Sequence, residues 1–274
     1  MGNIPKIIHY CWFGGKPLPP LAERCIASWK KWLPDYEIRR WDESNFDVNS
    51  TEYTRQAYAR GKYAFVSDYA RFWILYRYGG IYFDTDVEVV GDMHHIIANG
   101  PFIGCENEAN PQKSPELLGV NSGLGLGALP NMEIYRIFLQ YYESIKFIKA
   151  NGEIDSDTVV SKITRILCGE GLKNTPEIQE IAGIKIYPKV YFCPGDAERA
   201  SGNYPPLTVS AHHYNASWRD QDFNRRVKNP IWRKVFGFSA WFGQSMRKLL
   251  GEKRWIYIRD RYLTDIHNFM RGTK

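Results

Sequence analysis

The chain has 274 residues, 44% of them hydrophobic, enough to bury the core of one large α/β domain, and disorder is not the default expectation. Its net charge of +6 is concentrated at one end: from Arg219 onward 14 Lys/Arg face 5 Asp/Glu, whereas residues 1–218 carry 22 against 25. No run approaches the ~20 apolar residues of a membrane span. The five scattered cysteines make no CxxC pair, which argues against a disulfide framework or a zinc site and for a reducing, cytoplasmic setting.

The N-terminal "MGNIPKIIHYCWFGG" does not read as a signal peptide, because its short apolar run is interrupted by His9 and ends in glycines. "KIIHYCWF" reads instead as a first buried strand, followed by the turn-rich "GGKPLPP". Leu21, Cys25, Ile26, Trp29 and Leu33 recur at helical spacing, and "YEIRRW" is a short strand. A strand–helix–strand opening of this kind is the crossover unit of an α/β protein.

"SDYARFWILYRYGG" predicts a helix with Ser67 as N-cap, Asp68 in the first turn and Gly79 at its C-terminal end. "GIYFDTDVEVV" then predicts one continuous strand, and "PFIGCEN" and "SGLGLGA" two further short ones. "MEIYRIFLQYYESIKFI" and "DTVVSKITRILCGEGL" are amphipathic helices, and "GIKIYPKVYFCP" and "LTVSAHHYNASW" are late strands. Beyond about residue 222 the texture changes. Trp232, Trp241 and Trp255 lie among other apolar residues near helical spacing, with Arg and Lys between them. The domain reading is therefore a catalytic α/β domain over 1–221 and a basic, amphipathic helical appendage over 222–274.

The chemistry concentrates in a few places. Residues i and i+2 of a strand share a face, so Asp84 and Asp86 are expected to converge. Two like charges on a buried strand are costly unless a cation sits between them. Mg²⁺ or Mn²⁺ would serve, usually with substrate phosphates completing the shell. A solvated turn is the plainer alternative for the same two residues. Asp68 and Arg71, three apart on one helix face, read either as a local ion pair or as a site in which Asp68 accepts from sugar hydroxyls while Arg71 anchors it. Trp12, ahead of "FGG", is either core or a ring that stacks on a nucleobase. In "SAHHYNASW" the adjacent histidines point opposite ways on a strand, so at most one of them ligates a metal.

Taken together, "IPKIIHYCWFGG", "SDYARFWILYRYGGIYFDTDVEVV" and "HHYNASW" resemble the DXD-containing sugar-transferase family of bacterial capsular polysaccharide enzymes. That family is similar to the yeast initiating mannosyltransferase and to the clostridial glucosylating toxins. The resemblance covers roughly residues 4–218. It implies a GT-A fold (a Rossmann-like mixed sheet flanked by helices), a nucleotide-sugar donor with UDP favoured, Mn²⁺ or Mg²⁺, and retention of anomeric configuration. The acceptor it implies is a saccharide or lipid-linked saccharide. By the same resemblance Trp12 stacks on the base, Asp68 and Arg71 hold the donor sugar, and Asp84 lies near ribose and metal. Asp86 and His212 then ligate the metal, and Trp218 closes over the diphosphate.

Two departures stand out. "DSDTVVSKIT" replaces the Thr-Gly-Pro segment often found before the family's late helix, and the basic tail lies outside the motif. That tail, with its tryptophans, is expected to give peripheral contact with an anionic membrane at the inner face, and no nucleic-acid partner is expected. A glycoside hydrolase, which also needs two carboxylates, and a non-catalytic sugar-binding protein of the same fold remain the alternatives.

Overall fold

The computed structural model describes residues 3–214. The expected appendage over 222–274 and Trp218 lie outside the described residues.

The first strand, β1 (Ile7–Cys11), leads through α1 (Pro20–Trp32) to β2 (Glu37–Trp41), which pairs with β1 in parallel, Ile8 beside Ile38. Pro20 begins α1, where its missing N–H costs nothing. Two helices follow, α2 (Glu52–Ala59) and α3 (Tyr63–Tyr78). The sequence reading passed over α2, although Thr51 and Thr54 form a reciprocal cap at its start. It also began α3 one turn late. Tyr63, Ala64, Phe65 and Val66 continue the apolar pattern upstream, so the helix starts after Gly61-Lys62. Ser67 is therefore no cap; its hydroxyl donates back to Tyr63 O at 3.1 Å.

Gly79 ends α3 with φ +62°, and Gly80 follows at φ +97°, where any Cβ would crowd Ile7 O at 2.6 Å. The pair is thus required by a sharp helix-to-strand reversal packed against β1.

The stretch "GIYFDTDVEVV" is two strands, not one. β3 (Gly80–Tyr82) ends before Asp84, and β4 (Val87–Val89) belongs to a different sheet. Then come α4 (His94–Ala98), β5 (Phe102–Cys105), β6 (Val120–Ala128), α5 (Glu133–Ser144) and α6 (Val159–Gly169). The chain continues through β7 (Gln179–Ile181), β8 (Ile184–Tyr187), α7 (Lys189–Phe192), α8 (Asp196–Ser201) and β9 (Ser210–His212).

Seven strands form one mixed sheet in the order β2-β1-β3-β6-β5-β8-β7. The β1–β2, β1–β3 and β5–β8 pairs are parallel, while β6 runs antiparallel to both β3 and β5. This α/β architecture matches the fold class expected from the sequence. One apolar layer packs α2, α3, α5 and α6 on one face of the sheet through Tyr53, Phe72, Phe138 and Ile163. Another packs α1, α4 and α7 on the opposite face through Trp29, Ile96 and Phe192. The order places β2 and β3 on opposite sides of β1, so the chain reverses direction across the sheet there. Open α/β sheets bind ligands at the carboxyl ends of the strands beside such a reversal. Trp12 and Asp84 lie just past the carboxyl ends of β1 and β3.

His9 ties this region together. Trp41 Nε1 donates to its Nδ1 at 3.0 Å, so Nε2 carries the proton and donates to Gly79 O, also at 3.0 Å. Burial, opposed by the bond to Gly79 O, pushes the imidazole down from its ordinary 6.5 to about 4. Unfolded His9 takes up a proton near pH 6.5 and the folded form resists it. The stabilisation is therefore complete above about pH 6.5 and is lost as pH falls toward 4. It is of order 3 kcal/mol. In urea unfolding between pH 4 and 7 the His9 contribution is opposed by that of Asp68, whose folded pKa is raised to about 6. It is therefore read as the difference in slope between wild type and His9→Gln; identical slopes would remove His9 as a cause.

Candidate active site

Asp84 and Asp86 occupy the link between β3 and β4, where Val87 N donates to Asp84 O at 3.0 Å. The two carboxylates therefore converge through a turn and not on one face of a strand. β4 pairs antiparallel with β9, setting Val87 beside His212. This pairing brings the last described strand, more than a hundred residues away in sequence, to the carboxylates. Ligand atoms of Asp84, Asp86 and His212 lie within 4.8 Å of one another, and His212 Nε2 is 3.1 Å from Asp86 Oδ1. His213 faces elsewhere and contacts Glu88 at 2.9 Å. Burial alone would lower the His212 pKa; the bond to Asp86 and the charges of Asp86, Asp84 and Glu106 outweigh it and raise the pKa instead. Two carboxylates and an imidazole within this distance form a donor set that fits a divalent cation.

Arg71 braces the cluster from α3. Its side chain is 3% exposed, and Nη2 lies 3.1 Å from both Asp68 Oδ1 and Asp84 Oδ1. Nη1 donates to Ser122 Oγ at 3.0 Å and Nε to Ser67 O at 3.1 Å, while the guanidinium lies over the Tyr82 ring. The fork therefore consumes its donors in a fixed geometry that Lys could not reproduce. Burial pushes the Asp68 carboxyl up to about 6 even though Arg71 and Lys162 draw it down. Asp68 and Arg71 sit mid-helix, because α3 starts at Tyr63, yet their three-residue spacing holds.

Trp12 is half-buried just past β1, with its indole N–H donating to Lys16 O at 2.6 Å. Its polar edge is engaged within the loop, and its partly buried ring packs against the apolar layer that holds α1.

Several residues here escaped the sequence reading. Because β6 runs antiparallel, its first residues join the carboxyl ends of β3 and β5. Tyr82 OH donates to Asp84 Oδ1 at 3.1 Å, and Asn121 Nδ2 donates to Glu106 Oε2 at 2.8 Å. Asn121 Oδ1 in turn accepts from Gly123 N at 2.7 Å. A Cβ at Gly123 would overlap Asp84 Oδ2, so this glycine makes room for the carboxylate. Burial raises the Glu106 pKa. The available signal was "NSGLG", a polar pair and a glycine opening an otherwise apolar strand.

Residues 19–103 match the family model described as "Glycosyltransferase sugar-binding region containing DXD motif". Among curated proteins the chain is similar to inositol phosphoceramide mannosyltransferase 3 of Schizosaccharomyces pombe, at 36% identity over 91 residues. That match covers 31% of this chain and only 24% of the relative's length. Among solved structures, the PaToxG glycosyltransferase aligns at 20% identity and TM-score 0.41, covering 61% of this chain and 72% of that one. A glycosyltransferase involved in glycosylation of the major capsid of PBCV-1 aligns at 12% identity and TM-score 0.44, covering 78% and 95%.

Proposed function

We propose that this chain, whose residues 19–103 carry the DXD-containing sugar-binding region of glycosyltransferases, is a metal-dependent hexosyltransferase. It moves a hexose from a nucleotide sugar, with UDP-sugars favoured, to a saccharide or lipid-linked saccharide acceptor in surface or capsular polysaccharide synthesis. The observation that carries this reading is the meeting of Asp84, Asp86 and His212 beside the Asp68–Arg71 pair. All five lie next to the chain reversal where an α/β sheet takes its ligand.

Asp84, Asp86 and His212 would hold the cation, which when bound neutralises the diphosphate and the charge that develops on the leaving group. Arg71 keeps Asp68 and Asp84 in place, and Asp68 accepts from hydroxyls of the transferred sugar. Trp12 offers a ring face to the base, and Trp218 covers the diphosphate. The acceptor hydroxyl attacks the anomeric carbon on the face the phosphate leaves, gives its proton to that phosphate, and so retains the configuration. The test is a donor screen: incubate the full chain with Mn²⁺ and each common UDP- and GDP-sugar, and measure nucleotide release. One sugar is expected to stand well above the rest, and release that needs no nucleotide sugar, such as cleavage of a glycoside, would contradict the reading.

Trp12→Ala is expected to weaken nucleotide binding by about 1–3 kcal/mol, the range of base–aromatic stacking, with Trp12→Phe milder. Calorimetry with the bare nucleotide checks this, and equal affinities would remove Trp12 from the site.

Among the described residues no helix is long and apolar enough to cross a membrane. The basic, tryptophan-bearing sequence of residues 222–274 supports a separate appendage that contacts anionic lipid peripherally, each basic residue near the surface contributing about 1 kcal/mol. In liposome sedimentation, binding should require anionic lipid, fall with salt and disappear when residues after 221 are deleted. Full-length protein left in the supernatant at low salt would contradict it.

A further inference from the structure

We infer that Tyr214 is a positioning residue that fixes the imidazole plane of His212 in the Asp84–Asp86–His212 cluster. The inference rests on the metal reading above.

A metal-ligating imidazole is ordinarily steered by a hydrogen bond from its second nitrogen to a neighbouring carboxylate or carbonyl. His212 lacks that device among the described residues. Its Nε2 faces Asp86 Oδ1, while Nδ1 is buried without a hydrogen-bond partner. Pairing of β9 with β4 fixes the backbone of His212 beside Val87. It leaves rotation about the ring bond open, and that torsion is intrinsically broad.

The Tyr214 ring supplies the missing restraint. It meets the His212 ring edge-on, with centroids 4.2 Å apart and planes at 79°. At that separation the imidazole cannot turn without striking it. Tyr214 is itself held: its hydroxyl lies 3.0 Å from the sulfur of buried Cys193, and the Arg199 guanidinium sits 5.2 Å from its ring centre. Its backbone has φ +48°, a left-handed conformation unfavourable for a bulky side chain. Strain of this kind persists where the surroundings over-determine it, and it concentrates at functional sites. The left-handed residue follows directly on β9 and His213, and its ring stands against His212, two positions earlier.

The experiment is a titration of the full chain with Mn²⁺ alone, following free Mn²⁺ by electron paramagnetic resonance. Electron spin echo modulation from a coordinated imidazole nitrogen is recorded in parallel. Tyr214→Phe keeps the ring and is expected to bind Mn²⁺ within about threefold of the wild type, with the nitrogen modulation intact. Tyr214→Leu removes the aromatic ring and should weaken binding about tenfold, with the modulation reduced. Tyr214→Gly relieves the backbone strain but also lacks a ring; it should behave like Tyr214→Leu, and it provides a second ring-free variant if the leucine protein fails to fold. Wild-type affinity and modulation in either ring-free variant overturn the assignment while leaving the metal reading intact. If the wild type itself binds no Mn²⁺, the metal reading fails and the role of Tyr214 with it.

Discussion

Asp86→Asn is expected to abolish Mn²⁺-dependent donor turnover, a loss of at least ~100-fold, in a protein that melts close to the wild-type temperature. Asp86 sits in the turn between β3 and β4, with His212 Nε2 3.1 Å from its carboxylate. Replacing one carboxylate oxygen by an amide nitrogen removes a charged ligand and leaves the diphosphate under-neutralised. A metal ion contributes several kcal/mol of charge stabilisation in the transition state, and each 1.4 kcal/mol is tenfold in rate. The fold should tolerate the change because Asn has the same shape and its amide can still face His212. Near wild-type turnover by the folded variant would contradict the metal reading.

Arg71→Met should be the more damaging substitution for the fold. Arg71 is buried and lies at hydrogen-bond distance from Asp68, Asp84, Ser122 and Ser67 O. Without it two carboxylates remain in a low-dielectric pocket with no guanidinium between them. Removing one partner of a buried ion pair typically costs about 3–5 kcal/mol. Urea unfolding near neutral pH should show a loss of that order. Asp68→Asn added to Arg71→Met should restore part of the stability without restoring activity, because it removes one stranded charge while Asp84 stays unbraced. Arg71→Lys should fall between, since a single ammonium cannot span four partners. Wild-type stability in Arg71→Met would show that the carboxylates are solvated rather than clamped.

Much of this was legible in the sequence, for identifiable reasons. The opening β1–α1–β2 unit follows from an apolar run, a proline-started amphipathic helix and the short stretch "YEIRRW", all local signals. The Asp68–Arg71 pair was readable because helical spacing of three is a local fact that survives an error in where the helix begins. The convergence of Asp84 and Asp86 was correct in outcome and wrong in geometry, since nothing in "FDTDVEV" distinguishes a strand from a turn between two sheets. That distinction depends on the pairing of β4 with β9, a contact between segments far apart in the chain. Glu106, Asn121 and Gly123 were missed for the same reason. They join the site only because β6 runs antiparallel between β3 and β5, and strand direction is a property of the assembled sheet. Tyr214 could not be singled out, because its role depends on a positive φ and on Cys193 arriving from the end of α7.

The central claim is that Asp84, Asp86 and His212 hold a cation that in turn holds a nucleoside diphosphate. Calorimetric titration of the full chain with UDP, and separately with GDP, in Mn²⁺ and in chelator, tests it most directly. The account predicts binding of one of the two in Mn²⁺, a loss of at least about tenfold in affinity in chelator, and the same loss in Asp86→Asn with the metal present. Affinity that is equal with and without Mn²⁺, or binding of neither nucleotide, would contradict it.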